Sequence, residues 1–338
     1  MTEPTVITSQ RGRAGWITLN RPAALNALDL DMIGACARAL EQWRLDPSVH
    51  LVVFEGAGGR AFCAGGDVRA VRANSLAGRH DLVELFFATE YRLNGMIAEY
   101  PKPIVSLIDG ICMGGGIGLA VHGAARVVSE HAVLAMPETA IALFPDVGTT
   151  HALPRLPGQI GIWLALTGAR LDGAGAVHAG LATHFVPRAG FAELAEALAA
   201  DGIAALAPRA LPPPSALAAN RAEIDAAFAG DSIGGIIAAL ERSDSEFAAA
   251  ARAALAAASP SSLVWSLALL RAGARRTLAQ CLAAELAATR IVTRQADFIE
   301  GVRAMVVDKD RAPRWSPADV AAVDPAIVTA IAADPAIA

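Results

Sequence analysis

Two glycine-rich turns are the first stretches of this sequence that suggest chemistry. The glycines at 114–116 follow an apolar segment, 104–108, that is predicted to be a buried strand, and they precede an apolar segment that could start a helix. Backbone N–H groups at a helix N-terminus have no partner inside the helix, and the helix dipole makes the potential there positive. The natural guest of such a site is an anion or a developing oxyanion.

A second glycine-rich stretch, 56–66, also follows a predicted buried strand, 49–54. Two such turns could bring two backbone N–H donors together, which is what an oxyanion hole requires. Ordinary interpretations stay open, namely close helix packing for the first turn and a surface loop for the second. A dinucleotide-binding fingerprint is excluded, because neither Gly114 nor Gly116 begins a G-x-G-x-x-G pattern.

Three acidic residues accompany these turns. Glu138 and Asp146 lie on either side of a Phe-Pro break, and Glu90 lies beside the apolar face of a predicted helix, 80–99. Each has an ordinary alternative: a first-turn helix acid for Glu138, a turn or cap residue for Asp146, and a solvated helix position for Glu90. Carboxylates together with oxyanion donors would suit carbonyl chemistry.

Composition excludes several classes of protein. The chain has 338 residues and a net charge of −5, without a basic cluster, so no nucleic-acid partner is predicted. The most apolar candidate for a membrane span, 111–128, contains His122, Arg126 and several glycines, so we interpret it as core and predict no membrane. The four cysteines form no C-x-x-C pair, no metal-ligand spacing is present and the N-terminus lacks an apolar signal segment. These features predict a cytoplasmic protein without a metal site.

The order of predicted elements indicates an α/β fold with a helical C-terminal region. The predicted strands and helices before residue 206 include strands at 15–19, 49–54, 104–108 and 183–186, and helices at 29–43, 80–99, 158–166 and 174–180. The composition of 207–214, APRALPPP, is typical of a linker. We therefore predict a core over 1–206, a linker-like segment over 207–214 and a helical region over 215–338.

Several ordered segments together resemble the crotonase superfamily, the enoyl-CoA hydratase/isomerase fold. These segments are ITLNRP at 17–22, NAL at 26–28, AFCAGGDV at 61–68 and the glycine stretch 110–118. The sequence is most similar to the 3-hydroxyisobutyryl-CoA hydrolase branch. The segments that carry this similarity are MPETAIALFPDVG at 136–148, LPRLPG at 153–158, LTG at 166–168, LATHFV at 181–186, DF at 297–298, EGVRA at 300–304 and DKD at 308–310.

The resemblance implies a spiral of ββα units that binds acyl-CoA, with no cofactor beyond the CoA of the substrate. The backbone N–H groups of Gly66 and Gly115 would form the oxyanion hole. The residues implied to bind substrate are Glu90, Gly115, Glu138 and Asp146, and those implied to bind the CoA moiety are Arg21, Ala64, Gly65 and Asp67. The oligomeric state stays open, although crotonase relatives commonly form trimers or pairs of trimers.

A few positions distinguish the possible reactions. Resembling hydratases carry two glutamates, and one of these positions is Gly118 here, while the other is Glu138. The hydrolase branch pairs that glutamate with an aspartate eight residues later, Asp146, and carries a third acid that matches Glu90. General acid–base catalysis is typically worth about 10²–10⁴-fold, so the loss of one hydratase carboxylate favours hydrolysis.

The implied reaction is hydrolysis of 3-hydroxyisobutyryl-CoA to 3-hydroxyisobutyrate and CoA, as in valine catabolism. Glu138 would be either the nucleophile or the general base. Two alternatives remain: an enoyl-CoA hydratase or isomerase on the same fold, and a non-catalytic acyl-CoA-binding protein.

Two departures from the family pattern concern substrate binding. Ala23 stands where many relatives carry a lysine that is useful near the CoA phosphates, and Arg21 or Arg60 would have to compensate. Thr149 and Thr150 follow Gly148, where the branch more often has glycine, so the acyl pocket is expected to differ.

Overall fold

The computed structural model describes residues 3–206 and 212–333. Most of the predicted linker, 207–211, lies outside the described residues, so the predicted boundaries at 206 and 214 stay predictions. The chain forms two compact units, each made of three stretches. Unit 1 comprises Met1–Gly66, Arg92–Ala135 and Arg170–Ala218, and unit 2 comprises Asp67–Tyr91, Met136–Ala169 and Ala219–Ala338.

The strands of the described residues all belong to unit 1. They are β1 (Val6–Arg11), β2 (Ala14–Leu19), β3 (Leu51–Gly56), β4 (Ala61–Cys63), β5 (Ile104–Ile108), β6 (Ile111–Met113), β7 (Ala125–Val128), β8 (Val133–Ala135), β9 (Leu171–Asp172) and β10 (His184–Phe185). Six form one sheet in the order β1-β2-β3-β5-β7-β10, and four form a second sheet in the order β4-β6-β8-β9. Antiparallel pairing is confined to β1 with β2 and β8 with β9 among these strands, and the other neighbours are parallel.

Fifteen helices are present in the described part of the chain. They are α1 (Leu30–Arg44), α2 (Val68–Leu76), α3 (His80–Ala98), α4 (Gly115–Val121), α5 (Thr149–Ala152), α6 (Ile160–Thr167), α7 (Gly173–His178), α8 (Phe191–Asp201), α9 (Leu217–Ala227), α10 (Ile233–Glu241), α11 (Glu246–Ala257), α12 (Pro260–Gly273), α13 (Leu278–Val292), α14 (Ala296–Val302) and α15 (Pro325–Ala332). Unit 2 is therefore mainly helical.

The core of unit 1 lies between the six-stranded sheet and α8. Trp16, Val53 and Val105 on the sheet are fully buried and belong to the same apolar cluster as Leu194 and Leu198 of α8. The strand β5 is buried at every position, as expected for a parallel strand that is covered on both faces. Burial of this kind explains why a continuous apolar run, without alternation, marks the strand in the sequence.

The predicted elements with clear start and stop residues are confirmed. The predicted strand at 104–108 is β5, and the predicted cap Asp29 accepts a hydrogen bond from the Met32 backbone nitrogen at 2.9 Å at the start of α1. The predicted helix at 158–166 is α6, which ends at Gly168 in the left-handed conformation. One expectation is corrected, since the stretch 56–66 is not a loop throughout but contains β4. A strand of three residues is too short to show periodicity.

Length and apolar character do not single out a membrane-spanning helix. Among residues 3–206 and 212–333, no single helix is long and apolar enough to cross a bilayer. In the described part of the chain, one pair of helices, α11 and α12, bent by 110° at the break, passes that test when both helices are taken together. Ten of the residues of α12 are buried in the protein.

Candidate active site

The two predicted N–H donors lie on turns that unit 1 places side by side. Gly66 follows β4, and Gly115 is the first residue of α4, directly after β6. Because β4 and β6 pair in parallel, the turns after them leave the sheet at the same edge. A Cβ added to Gly65 would lie 3.2 Å from the Met113 carbonyl oxygen and 3.5 Å from the Gly115 nitrogen, so the two turns are in contact.

The glycine triplet combines close helix packing with a backbone conformation that favours glycine. Gly114, the N-cap residue of α4, has φ +49° and ψ −121°, a conformation that favours glycine. A Cβ on Gly116 would lie 2.3 Å from the Cys63 carbonyl oxygen, so α4 packs on β4 more closely than a side chain permits. Within the described residues, the N–H groups of Gly66 and Gly115 have no backbone acceptor. The turn pair is therefore suited to hold an oxygen that accepts two hydrogen bonds.

Three of the residues predicted to bind CoA lie close together in unit 1. The Ala64 nitrogen donates to the Leu25 carbonyl at 3.0 Å, and the Leu28 nitrogen donates to the Gly65 carbonyl at 2.8 Å. Arg21 begins the segment that leads to Leu25, and its side chain is 31 % exposed. The Arg21 guanidinium donates a hydrogen bond to the Ala27 carbonyl at 3.1 Å and lies 3.7 Å from Asp29 Oδ2, so contacts within the protein hold it in place.

The other positions linked to CoA binding have different surroundings. Asp67 belongs to unit 2, where its carboxylate accepts a hydrogen bond from the Ala70 nitrogen at 3.2 Å and caps α2. Ala23 lies in the short 3₁₀ turn Pro22–Ala24, and Arg60 is exposed.

Four carboxylic acids and a tyrosine form a buried cluster in unit 2. We call this set the acidic cluster; its members are Glu90 and Tyr91 on α3, Glu138 in the 3₁₀ turn Glu138–Ile141, Asp146 in the turn before α5, and Glu285 on α13. The exposed fraction is 6 % for Glu138, 4 % for Asp146 and 0 % for Glu285. Buried carboxyl groups are rare without partners, so the cluster is the unusual chemical feature of this unit.

Hydrogen bonds fix the direction of two of these acids. The Tyr91 hydroxyl donates to Asp146 Oδ2 at 2.7 Å. Glu285 accepts from the Gly148 nitrogen at 2.7 Å, from the Thr150 nitrogen at 3.2 Å and from the Thr150 hydroxyl. These contacts join α3, the turn after Asp146 and α13, three segments that are far apart in the sequence.

Burial raises the pKa of every acid in the cluster, and the charge of a neighbouring acid adds to the shift for Glu90, Glu138 and Glu285. Burial raises the pKa of Asp146 to about 6, although the Tyr91 hydrogen bond opposes that shift. Burial raises the pKa of Glu138 well above its usual value, and the charges of Asp146 and Glu90 add to this effect. Burial and then the Asp146 charge also raise the pKa of Glu90. At neutral pH, Asp146 with its pKa of about 6 is mostly ionised, while Glu90 and Glu138 hold their protons more strongly than exposed glutamates do, which is an arrangement suited to acid–base chemistry.

Two carboxyl oxygens of the cluster are buried without a hydrogen bond. Within the described residues, neither Glu138 Oε2 nor Glu90 Oε1 has a hydrogen-bond partner. An unpaired buried polar group costs about 1–3 kcal/mol, so such groups are retained where they serve a ligand or a reaction. The ordinary interpretation of Glu90 as a solvated helix position does not agree with its 2 % exposure.

Tyr91 and Glu285 are cluster members that sequence reasoning missed. Glu285 lies on the buried stripe of α13 with Cys281, Ala288 and Val292, and a lone acid on an apolar stripe was the available signal. Tyr91 directly follows Glu90 and offered no signal of its own. Among the described residues, no group of His, Cys, Asp and Glu side chains is arranged to hold a metal ion.

A separate cavity of about 810 Å³ lies elsewhere in unit 2. Its walls come from the start of α10, one face of α12 and α15, with Leu267 and Arg271 among the lining residues. None of the predicted site residues lines this cavity.

Comparisons with known proteins agree with this description. The family model for enoyl-CoA hydratase/isomerase matches residues 14–332. The 3-hydroxyisobutyryl-CoA hydrolase, mitochondrial, of Xenopus tropicalis is 44 % identical over 92 % of this chain and 84 % of its own length. The human protein of the same name is 42 % identical over 93 % of this chain and 85 % of its own length.

Two solved structures match almost the whole chain. An enoyl-CoA hydratase from Rhodobacter sphaeroides 2.4.1 has a TM-score of 0.93 and 44 % identity, with 98 % of each chain covered. A carnitinyl-CoA dehydratase from Mycobacterium thermoresistibile has a TM-score of 0.93 and 41 % identity, with 99 % of this chain and 98 % of that chain covered. The predicted crotonase-like α/β fold and the similarity to the hydrolase branch are confirmed. The chain belongs to the enoyl-CoA hydratase/isomerase family, the crotonase superfamily.

Proposed function

We propose that this protein hydrolyses the thioester of a short branched 3-hydroxyacyl-CoA, with 3-hydroxyisobutyryl-CoA as its substrate and 3-hydroxyisobutyrate and CoA as products. The observation that carries the proposal is the acidic cluster: Glu90, Glu138 and Asp146 are buried as one group, whereas Gly118 leaves the second hydratase position without a side chain. Relatives that are 42 % and 44 % identical bear the hydrolase name, which supports the same reaction.

In the proposed reaction, the N–H groups of Gly66 and Gly115 hold the thioester oxygen and stabilise the negative charge that develops on it. Ionised Glu138 either attacks the carbonyl carbon or removes a proton from the attacking water. On the first route an acyl–oxygen bond to Glu138 forms as the acyl–sulfur bond breaks, and water then hydrolyses the anhydride. On both routes the CoA sulfur leaves with its electron pair and takes up a proton.

The remaining acids have supporting roles in the proposal. Asp146 orients the substrate hydroxyl or the attacking group, and Glu90 helps to define the acyl pocket. The raised pKa of Glu138 makes its ionised form a stronger base and nucleophile than an exposed glutamate.

The test measures thiol release from 3-hydroxyisobutyryl-CoA by the purified protein, with crotonyl-CoA hydration run in parallel. We expect fast thiol release, negligible hydration, and a loss in kcat of about 10²–10⁴-fold for Glu138→Gln. The matched control is Glu223→Gln on α9, where the carboxylate accepts hydrogen bonds from Ser243 and Ser245 at 2.6 Å each and belongs to no predicted site. Unchanged thiol release in Glu138→Gln would contradict the catalytic assignment.

Other outcomes identify the alternatives. Hydration without thiol release would establish a hydratase, the activity named for the Rhodobacter sphaeroides neighbour. Tight CoA binding with neither activity would establish a binding protein. In single turnover in ¹⁸O-labelled water, label in the Glu138 carboxyl group would establish the anhydride route, because only that route lets water attack the glutamate carbonyl.

The proposal also covers the pathway, the cellular compartment and the oligomeric state. We place the enzyme in valine catabolism, in the cytoplasm and in a homo-oligomer of three or six chains, with CoA entering only as part of the substrate. The word mitochondrial in the names of the vertebrate relatives describes those proteins. Gel filtration with light scattering measures the oligomeric state directly.

A further inference from the structure

The Glu285 side chain accepts hydrogen bonds from the segment that follows Asp146, far from its own helix in the sequence. It lies on α13, is fully buried, and accepts hydrogen bonds from the Gly148 nitrogen, the Thr150 nitrogen and the Thr150 hydroxyl. All three donors belong to the segment that directly follows Asp146. One carboxyl group from a distant helix thus anchors this turn.

The turn needs such an anchor because its backbone is strained. Val147 has φ +54° and Gly148 has φ +78°, so two successive residues adopt the left-handed conformation. That region is unfavourable for a β-branched side chain such as valine, and strained residues persist only where surrounding contacts hold them. The Asp146 carbonyl also accepts hydrogen bonds from the Thr149 nitrogen at 2.9 Å and the Thr149 hydroxyl at 2.7 Å, which ties the start of the turn.

The strained turn sets the direction of the Asp146 side chain. Its carboxylate meets the Tyr91 hydroxyl at 2.7 Å, a contact that requires the backbone at 146 to be placed within a few tenths of an ångström. We propose that Glu285 is a positioning residue of the candidate active site, which anchors the turn through Gly148 and Thr150 and thereby holds the Asp146 carboxylate against Tyr91. The proposal rests on the proposed function only in treating Asp146 as a group of the reaction.

The charges around Glu285 give the arrangement a measurable signature. Burial raises the pKa of Glu285 to about 8, the hydrogen bond from Thr150 opposes the shift, and the charge of Asp146 adds to it. Tyr91 and Glu90 face the cluster from α3, and the neighbouring Cys281 on α13 also lies near Arg155 and Arg276. Glu285 is therefore protonated while Asp146 ionises, and it becomes charged only in a second step at higher pH.

The first experiment compares the kinetics of variants in thiol release from 3-hydroxyisobutyryl-CoA. Glu285→Gln keeps the shape of the side chain but replaces an oxygen that the turn requires, and Thr150→Val removes only the hydroxyl. We expect kcat to fall by about tenfold to a hundredfold in Glu285→Gln, the effect of a small misplacement, with KM little changed. Asp297→Asn is the matched control, because Asp297 is a buried acid of unit 2 that accepts from Ser316 and Ser259 and belongs to no proposed site.

The second experiment observes Asp146 without any substrate. The chain contains two tyrosines, Tyr91 and Tyr100, so ¹³C labelling of the tyrosine Cζ atoms yields two NMR signals, and Tyr100→Phe assigns them. The Tyr91 signal should titrate at about pH 6 with Asp146 and again at about pH 8 with Glu285. In Glu285→Gln we expect the upper step to vanish and the lower step to lose amplitude, whereas Asp297→Asn keeps both.

The outcomes separate this inference from the proposed function. A folded Glu285→Gln protein with wild-type kcat and an unchanged Tyr91 titration would overturn the positioning role and leave the hydrolase proposal intact. If the wild-type protein releases no thiol, the hydrolase proposal fails, and the Tyr91 titration alone decides the positioning role. If Glu285→Gln does not fold, Thr150→Val decides it: a smaller loss of kcat and a shifted Tyr91 signal support the role, and wild-type behaviour in both refutes it.

Discussion

Replacement of Gly116 by alanine tests whether the close approach of α4 to β4 sets the geometry of the predicted oxyanion donors. The added Cβ would lie 2.3 Å from the Cys63 carbonyl oxygen and 2.9 Å from the Cys63 Cβ, whereas ordinary contact begins at 3.4 Å. The start of α4 must therefore move away from β4 by about 1 Å, the difference between 2.3 Å and 3.4 Å.

That movement should affect catalysis more than folding. Gly115 directly precedes Gly116, so its N–H moves with the start of the helix relative to the turn that holds Gly66. A displacement of about 1 Å in a group that positions the reacting atoms can cost about 10²-fold in rate. Overpacking costs about 1–3 kcal/mol of stability, and alanine recovers about 0.5–1 kcal/mol because it is a better helix former than glycine. We expect a folded protein whose kcat falls by about two orders of magnitude.

The assay follows thiol release from 3-hydroxyisobutyryl-CoA together with thermal unfolding. Gly234→Ala is the matched control, because Gly234 lies in α10 and nothing is within 4 Å of an added Cβ there. It should keep the wild-type kcat and gain up to about 1 kcal/mol. A Gly116→Ala protein that is stable and fully active would refute the reasoning, because the donors would then tolerate a displaced helix.

Three further predictions concern other contacts. Tyr91→Phe removes the hydrogen bond that lowers the pKa of Asp146, so that pKa should rise above about 6 and the acid limb of the kcat profile should move to higher pH; an unmoved limb would show that Asp146 does not control it. The pKa of Glu285 is raised from 4.5 to about 8, so between these pH values the folded protein binds more protons than the unfolded chain. The free energy of unfolding should therefore fall as the pH rises from 4.5 to about 8. The melting temperature of Glu285→Gln should depend less on pH over that range, and equal slopes in both proteins would contradict the shift. Asp29→Ala loses the cap of α1, a bond of 2.9 Å to the Met32 nitrogen, and should cost about 1 kcal/mol in a denaturant titration with kcat unchanged; an unaltered midpoint would show that the cap contributes nothing.

The elements that the sequence predicts well are those with a strong local signal. The apolar run of β5 and the periodic, capped helix α1 follow from patterns within one segment. By contrast, β4 and β6 have only three residues each and lie about 50 residues apart in the sequence. No local sequence pattern indicates that these two strands pair.

In the candidate site, too, some properties can be predicted from the sequence and others cannot. Gly66, Gly115, Glu90, Glu138 and Asp146 can be named from motifs, because a family pattern preserves residue types at ordered positions. The protonation states of the three acids cannot be predicted from motifs. Burial raises the pKa of Asp146 to about 6 and a hydrogen bond from a tyrosine 55 residues away in the chain opposes that shift, and both effects are properties of the folded packing.

The sequence by itself determined the α/β class and the crotonase resemblance and predicted the candidate donors and carboxylates, because these depend on residue type, order and local period. The tertiary structure alone decided that Glu90 is buried instead of solvated, that Gly116 is required by the approach of α4 to β4, and that Glu285 reaches Gly148 across 137 residues of chain. Burial and the distances between charges arise only when remote segments pack together, and these quantities set the electrostatics of the site.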